Sequence, residues 1–266
     1  MNLVEAIVLG IIQGVAEWLP ISSKGISTIV MLNFFGRSFS DALLISVWLH
    51  VGTLLAAVIY FRKDLKRILL NLPAYARRPA GMEGYSGITN FLIISTAFTG
   101  IAAVPLVVFE LTEISFSWAF AMGFIGILMI LTGIMLKLPR GHKKIEDRTR
   151  VSDAALTGFV QGFSALPGIS RSGITTSALL LRKHEPEFAL KLSFLMSIPA
   201  ILIAEIGLGM GALGEFSIDL YSIVAILFSF VFGMLTLKSL LTVAHKINFG
   251  WFCMGLGALC IIAVFL

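Results

Sequence analysis

Long apolar runs separated by short polar stretches dominate the chain. A helix that crosses the hydrocarbon core of a bilayer needs about 20 mostly apolar residues. Six stretches meet that length, at roughly 40–61, 89–109, 116–138, 188–212, 217–240 and 248–266, and each is predicted to be a spanning helix. Two more apolar stretches, 3–35 and 152–181, are broken near their middles by Pro, Gly and Ser, at Pro20-Ile-Ser-Ser and Pro167-Gly-Ile-Ser-Arg. Their arms are only about 12 to 17 residues long, a length that suits a hairpin entering and leaving the membrane on one side. The pattern predicts an all-α polytopic membrane protein with six transmembrane helices and two re-entrant helical hairpins.

The two broken stretches are copies of one pattern, 148 positions apart. Gly10, Gln13, Gly14, Ile21, Ser22 and Gly25 recur as Gly158, Gln161, Gly162, Ile169, Ser170 and Gly173, and the acid Glu5 recurs as Asp153. Each copy heads a unit of one hairpin and three spans. The first unit is 1–138, the second 152–266, and 139–151 links them on the cytoplasmic side. A hairpin keeps the chain on its side of the membrane and three spans do not, so the second unit is expected upside down. Inverted repeats with broken helices place their site near the midplane. The two polar tips are therefore expected to converge.

Composition agrees with this reading. The chain is 58% hydrophobic and 13% charged, against roughly a quarter charged in a soluble domain. The net charge of +5 would suggest nucleic acid in a soluble protein, but its placement points elsewhere. All of the 20 Lys and Arg except Lys24, Arg37 and Arg171 fall in 62–88, 137–150, at Arg182, Lys183 and Lys191, or at Lys238 and Lys246. With the predicted spans these all lie on one face, which the positive-inside rule makes cytoplasmic. Both termini are then outside, and the expected location is the cell membrane with a site opening outward. The basic loops can also attract anionic lipid heads. No cleavable signal peptide is read, because the N-terminus carries Glu5 and no basic stretch. Cys253 and Cys260, seven apart, match neither a redox nor a zinc pattern and read as lipid- or core-facing fillers.

The chemistry is concentrated at the breaks. Gln13 and Glu17 are four apart and share a helix face. An ionisable group at membrane depth is a functional candidate by default. Ser22-Ser23-Lys24-Gly25 and Ser170-Arg171-Ser172-Gly173 can each open a returning half-helix, with Thr175 and Thr176 a turn later. Helix N-termini suit phosphate, and the hydroxyls can either contact ligand oxygens or cap the helices. Arg171 offers a fork that matches phosphate oxygens. Lys24 can offset phosphate charge or reach to the outer surface. His50, halfway along 40–61, either joins the site or hydrogen-bonds a neighbouring helix. Glu205 reads as a packing or hydration group. An acid tip, a basic tip and surrounding apolar spans suggest a ligand with an anionic head and an apolar tail, a phosphorylated lipid.

The sequence resembles the undecaprenyl-diphosphate phosphatase family of the bacitracin-resistance type over nearly its whole length. Gln13, Glu17, Pro20, Ser22, Ser23 and Gly25 meet its first signature. Pro167, Gly168, Ser170, Arg171, Ser172 and Gly173, followed by Thr175 and Thr176, meet its second, and Leu49 to Leu65 also matches. The resemblance implies removal of the terminal phosphate of a polyprenyl diphosphate, regenerating the monophosphate carrier used in cell-wall glycan synthesis. It implies Glu17, Ser23 and Arg171 as catalytic residues. Substrate contacts are expected from Gln13, Ser22, Lys24, Gly168, Ser170, Ser172, Thr175, Thr176, Gln161 and His50. A divalent cation, Mg2+ or Ca2+, is implied as cofactor; no metal motif is present, and Glu17 is the candidate contact. The family usually has His directly after Ser-Ser-x-Gly, where this chain has Ile26.

Two other readings stay open. The same architecture would suit a transporter that flips a lipid monophosphate, or a non-catalytic lipid-phosphate binding protein. The expected partners are the polyprenyl diphosphate, phosphate and membrane lipids, with no nucleic acid. The Gly-rich faces at Gly123, Gly126 and Gly133, and at Gly207, Gly209 and Gly211, permit close packing within one protomer or between protomers of a homo-oligomer.

Overall fold

Both interrupted stretches are interrupted in the structure. The computed structural model describes residues 1–77, 84–110, 118–137, 149–165, 169–212, 219–246 and 248–265. The first broken stretch is α1 (Leu3–Ala16) and α2 (Ser23–Phe35). Next come α3 (Phe39–Tyr60), α4 (Arg62–Arg77), α5 (Gly84–Glu110) and α6 (Trp118–Lys137). The second broken stretch is α7 (Val151–Gly162), a 3-10 turn (Phe163–Ala165) and α8 (Arg171–Leu181). The long helices α9 (Pro186–Ala212), α10 (Leu220–Lys246) and α11 (Phe249–Ala263) follow. The described residues contain no strand. Most of the linker and Gly168 lie outside them.

Local chemistry sets the helix ends. Asn2 and Glu5 form a capping box at the start of α1. Ser22, Ser38 and Ser170 cap α2, α3 and α8, their hydroxyls accepting from the N–H groups of Gly25, Asp41 and Gly173. Pro20 has no N–H to continue a helix and pushes Leu19 away from helical geometry, which breaks the first stretch. Gly36 ends α2 in the left-handed region, at φ 60°, where a Cβ would be strained.

Each broken pair is fastened at its open end by an acid on its first helix and an Arg beyond its second. Arg37 Nε lies 2.7 Å from Glu5 Oε1, with Nη2 2.8 Å from Oε2. Arg182 Nε lies 2.7 Å from Asp153 Oδ1, and His184 Nε2 lies 3.0 Å from Oδ2.

Glycines let the main helices touch. A Cβ on Gly10 of α1 would fall 2.5 Å from the carbonyl oxygen of Ala225 on α10. Gly158, at the equivalent place on α7, presses on the backbone of Ser95 on α5. Gly126 of α6 likewise abuts Gly257 of α11, and Gly133 abuts Gly250. Inside, Trp18 stacks edge-on against Phe194 with ring centroids 5.0 Å apart, among Phe61, Phe91, Leu192 and Met196.

Outside, the surface is apolar. Ile101, Val104, Leu131, Ile203, Leu227 and Leu259 are all more than half exposed, as lipid-facing side chains would be. Gly87–Leu106, Pro186–Glu205 and Leu220–Ala244 are long and apolar enough to cross a membrane, with mean hydropathies of 1.7, 1.7 and 2.3. The described residues are all-helical, with the make-up of a membrane protein. Cys253 and Cys260 are both buried, so they face the core.

One helix is absent from the sequence reading. Residues 62–77, taken as part of a basic connection, form α4. Leu65, Ile68 and Leu72 recur at helical spacing, Ile68 is buried, and Asp64 pairs with Lys191 of α9 at 2.8 Å.

Candidate active site

The two breaks meet. The carbonyl of Leu19, in the gap between α1 and α2, accepts from Ser172 Oγ at 2.6 Å and from Ser170 Oγ at 3.3 Å. Gly173 packs against Pro20, where a Cβ would lie 3.2 Å from the proline Cβ. Two chain segments about 150 residues apart thereby form one surface.

Glu17 stands at the end of α1, buried, its N–H still bonded to the Gln13 carbonyl. Both oxygens of its carboxylate are engaged. Oε1 accepts from Arg171 Nη2 at 2.6 Å. Oε2 accepts from Gln13 Nε2 and Ser23 Oγ, each at 2.8 Å. His50 Nε2 is 3.4 Å from the same Oε2. Arg171, the first residue of α8, lies with its Cζ 5.7 Å from the centre of the Trp18 ring, within cation–π range. Its Nη1 is buried and has no hydrogen-bond partner among the described residues.

Glu17, Ser23, His50 and Arg171 border a cavity of about 150 Å³. Of the residues singled out from sequence, Glu17, Ser22, Ser23, Lys24, His50, Gln161, Ser170 and Arg171 line it. Gln13, Ser172, Thr175 and Thr176 do not. Gln13 sits behind Glu17, and Ser172 is turned to Leu19. Thr175 Oγ1 donates to the Arg171 carbonyl at 2.8 Å and lies 2.6 Å from Ser193 Oγ. Ile26 is half-buried and off the cavity wall. For Ser22 and Ser170 both readings of the hydroxyl hold, since they cap helices and also line the cavity.

The wall also holds residues that the sequence reading missed or assigned elsewhere. Glu205, read as a packing or hydration group, lines the cavity, as do Thr99 and Ser164. Thr99 Oγ1 lies 2.7 Å from the Ser95 carbonyl and 3.0 Å from that of Gly158, both acceptors only. Its proton is committed to them, so Gln161 must turn its NH2 to Thr99, at 3.0 Å. That leaves Gln161 Oε1 buried without a donor among the described residues. A polar residue inside an apolar run, such as Thr99, was the available signal.

Chemically, the cavity sets the Arg171 guanidinium, the Lys24 ammonium and the N-terminal ends of α2 and α8 against the carboxyl groups of Glu17 and Glu205. Arg and helix N-termini bind phosphoryl oxygens. Hard oxygens suit Mg2+ or Ca2+, although the described residues contain no cluster of three His, Cys, Asp or Glu able to hold a metal alone.

Comparison with known proteins is specific. A family model described as Bacitracin resistance protein BacA matches residues 6–259. The chain is 49% identical over 266 residues, the full length of both proteins, to an undecaprenyl-diphosphatase of Methanococcoides burtonii. It is 38% identical to the undecaprenyl-diphosphatase of Methanothrix thermoacetophila, covering 97% of this chain and 95% of that one. It is 35% identical to that of Haloarcula marismortui, covering 96% and 94%.

Proposed function

The chain belongs to the bacitracin resistance protein BacA family, and from that membership we propose that it hydrolyses undecaprenyl diphosphate to the monophosphate carrier and phosphate. The observation that carries the reading is the Arg171–Glu17 pair, 2.6 Å apart, where two helix breaks meet beside a cavity in an apolar helical bundle. In this proposal Arg171 and the N-termini of α2 and α8 bind the diphosphate and take up charge as the terminal phosphorus is attacked. Lys24 adds to the field. Glu17 holds Ser23 and Arg171 in position, and the nucleophile is the Ser23 hydroxyl or a water beside it. The apolar helices accept the polyprenyl tail.

Dependence on Mg2+ or Ca2+ is part of the proposal, and the donor set is compatible with it. Glu17, Glu205 and Gln161 line the same cavity and carry hard oxygens, that of Gln161 without a donor among the described residues. With too few carboxylates for a cage, they would hold an ion that also binds the substrate's own oxygens. Such an ion neutralises phosphoryl charge.

The proposed layout is six spans and two re-entrant hairpins in inverted units, with both termini outside and the cavity opening to the outer face. The one-sided distribution of Lys and Arg supports it. So does the matched use of Gly10 and Gly158 as contacts for α10 and α5.

The deciding experiment is phosphate release from undecaprenyl diphosphate by purified protein with Mg2+ or Ca2+. Wild type should release phosphate and Glu17→Ala should not. Equal inactivity of both would refute the enzyme reading. Movement of monophosphate across vesicles that depends on Arg171, without phosphate release, would favour a transporter instead.

A further inference from the structure

We propose that His50 takes the proton from the attacking nucleophile. The inference rests on the phosphatase reading above and assigns a step which that reading leaves without a residue. Glu17 is the obvious proton acceptor by type, yet its carboxylate already accepts from Arg171, Gln13 and Ser23. A carboxylate has about four lone-pair sites. Gln13 and Ser23 fill both sites on Oε2, the oxygen His50 faces, and the one open site is on Oε1 beside Arg171.

The ring of His50 is set for the task. Its Nδ1 is 2.6 Å from the Ser46 carbonyl, which can only accept, so Nδ1 carries a hydrogen. In the neutral ring the lone pair is then on Nε2. Nε2 lies 3.4 Å from Glu17 Oε2, beyond the usual range of a direct N–H···O bond. Ser23 Oγ is 2.8 Å from the same oxygen. The serine hydroxyl and the imidazole thus flank one carboxylate oxygen, and His50, Ser23 and Glu17 all line the cavity. The Ser23 proton is directed at Glu17 Oε2, so a water O–H at this point, or the Ser23 O–H once turned from Glu17, has Nε2 as its open acceptor.

The step balances. The nucleophile's oxygen bonds to the terminal phosphorus as the bond from that phosphorus to the bridging oxygen breaks. The bond's electron pair leaves on the undecaprenyl monophosphate. The nucleophile's proton passes to Nε2, and the imidazolium so formed faces the Glu17 carboxylate. A carboxylate beside an imidazolium stabilises it, as in the serine-protease triad. The charged groups that share the cavity with His50 are Glu17, Lys24 from α2, Arg171 from α8 and Glu205 from α9.

The test compares wild type, His50→Gln and His50→Ala for phosphate release from undecaprenyl diphosphate in detergent, with thermal melts to verify folding. Positioned proton transfer contributes about 10²- to 10⁴-fold, so kcat should fall by at least about 10² while KM stays within a few-fold. Added imidazole should restore part of the His50→Ala activity. If His50→Ala does not fold, His50→Gln is decisive through its split between kcat and KM. Variants with wild-type kcat, or with a loss that falls on KM rather than kcat, would overturn the proposal and leave the phosphatase reading standing. An inactive wild type would remove both.

Discussion

Arg171 Nη2 and Glu17 Oε1 lie 2.6 Å apart across 154 positions of sequence, with about a tenth or less of either side chain exposed. Breaking a buried pair by removing one partner leaves an uncompensated charge, at a cost of about 3–5 kcal/mol, whereas replacing both is often neutral. Arg171→Met is therefore expected to lower the melting temperature sharply. Adding Glu17→Gln should recover much of that loss while activity stays absent. A double variant less stable than Arg171→Met would show that the pair is not coupled as described.

The two hairpin fastenings differ in how many groups hold the acid. Glu5 and Asp153 are both buried and each meets an Arg about one third exposed, but Asp153 also meets the buried His184. Asp153→Asn should cost about 1–3 kcal/mol more than Glu5→Gln, because it also weakens the bond to a buried ring nitrogen. Thermal unfolding of both variants in one detergent checks the order. Equal losses would contradict it.

Two glycines should respond in opposite ways to a methyl group. At Gly158 a Cβ collides with the Ser95 backbone, and backbone cannot yield cheaply. At Gly100, on α5, a Cβ meets nothing within 4 Å. Gly158→Ala should lose about 1–3 kcal/mol through overpacking. Gly100→Ala should be neutral or gain up to about 1 kcal/mol from helix propensity. Melting temperatures of the two single variants are sufficient.

The hydroxyl of Ser172 spans the junction of the two breaks, donating at 2.6 Å to Leu19. Ser172→Ala leaves that carbonyl with only the longer contact from Ser170. The expected loss is about 1–2 kcal/mol, with KM for the diphosphate rising more than kcat falls. Steady-state kinetics beside a melt separate this from Ser23→Ala, for which kcat should fall most.

Thiol labelling tests the membrane layout. Cys253 and Cys260 are buried, so background reaction should be low. On the proposed topology, Asn33→Cys should react with an impermeant maleimide in intact cells. Lys66→Cys, exposed on α4, should react only after permeabilisation. The reverse pattern would invert the topology.

Much of the helical plan could be read from hydropathy because each apolar run is either long and continuous or broken at a visible Pro-Ser cluster. The breaks at Pro20 and before Arg171 stand where the sequence puts them, and Glu17, Ser23, His50 and Arg171 do come to one cavity. Which hydroxyl faces that cavity was not legible. Ser172 and Thr175 sit in the same motif as Ser170, but helix rotation turns one to Leu19 and the other to Ser193. Likewise α4 was hidden by its charges, which mask the spacing of Leu65, Ile68 and Leu72. Glu205 looked like a lone polar residue because nothing local in sequence brings it to the cavity that Lys24 lines.

The glycine contacts bear on how the molecule is made. Helix α1 lies against α10, and α7 lies against α5, so each broken pair leans on a helix from the other half of the chain. A ribosome that has finished the first half has made Glu17, Ser23 and His50 but neither the buttress for α1 nor the Arg171 that neutralises the acid. During that interval the first hairpin holds a buried carboxylate without its cation. The last stretches to emerge complete the first, which makes early release or truncation ahead of α10 a loss of the whole site rather than of its second half.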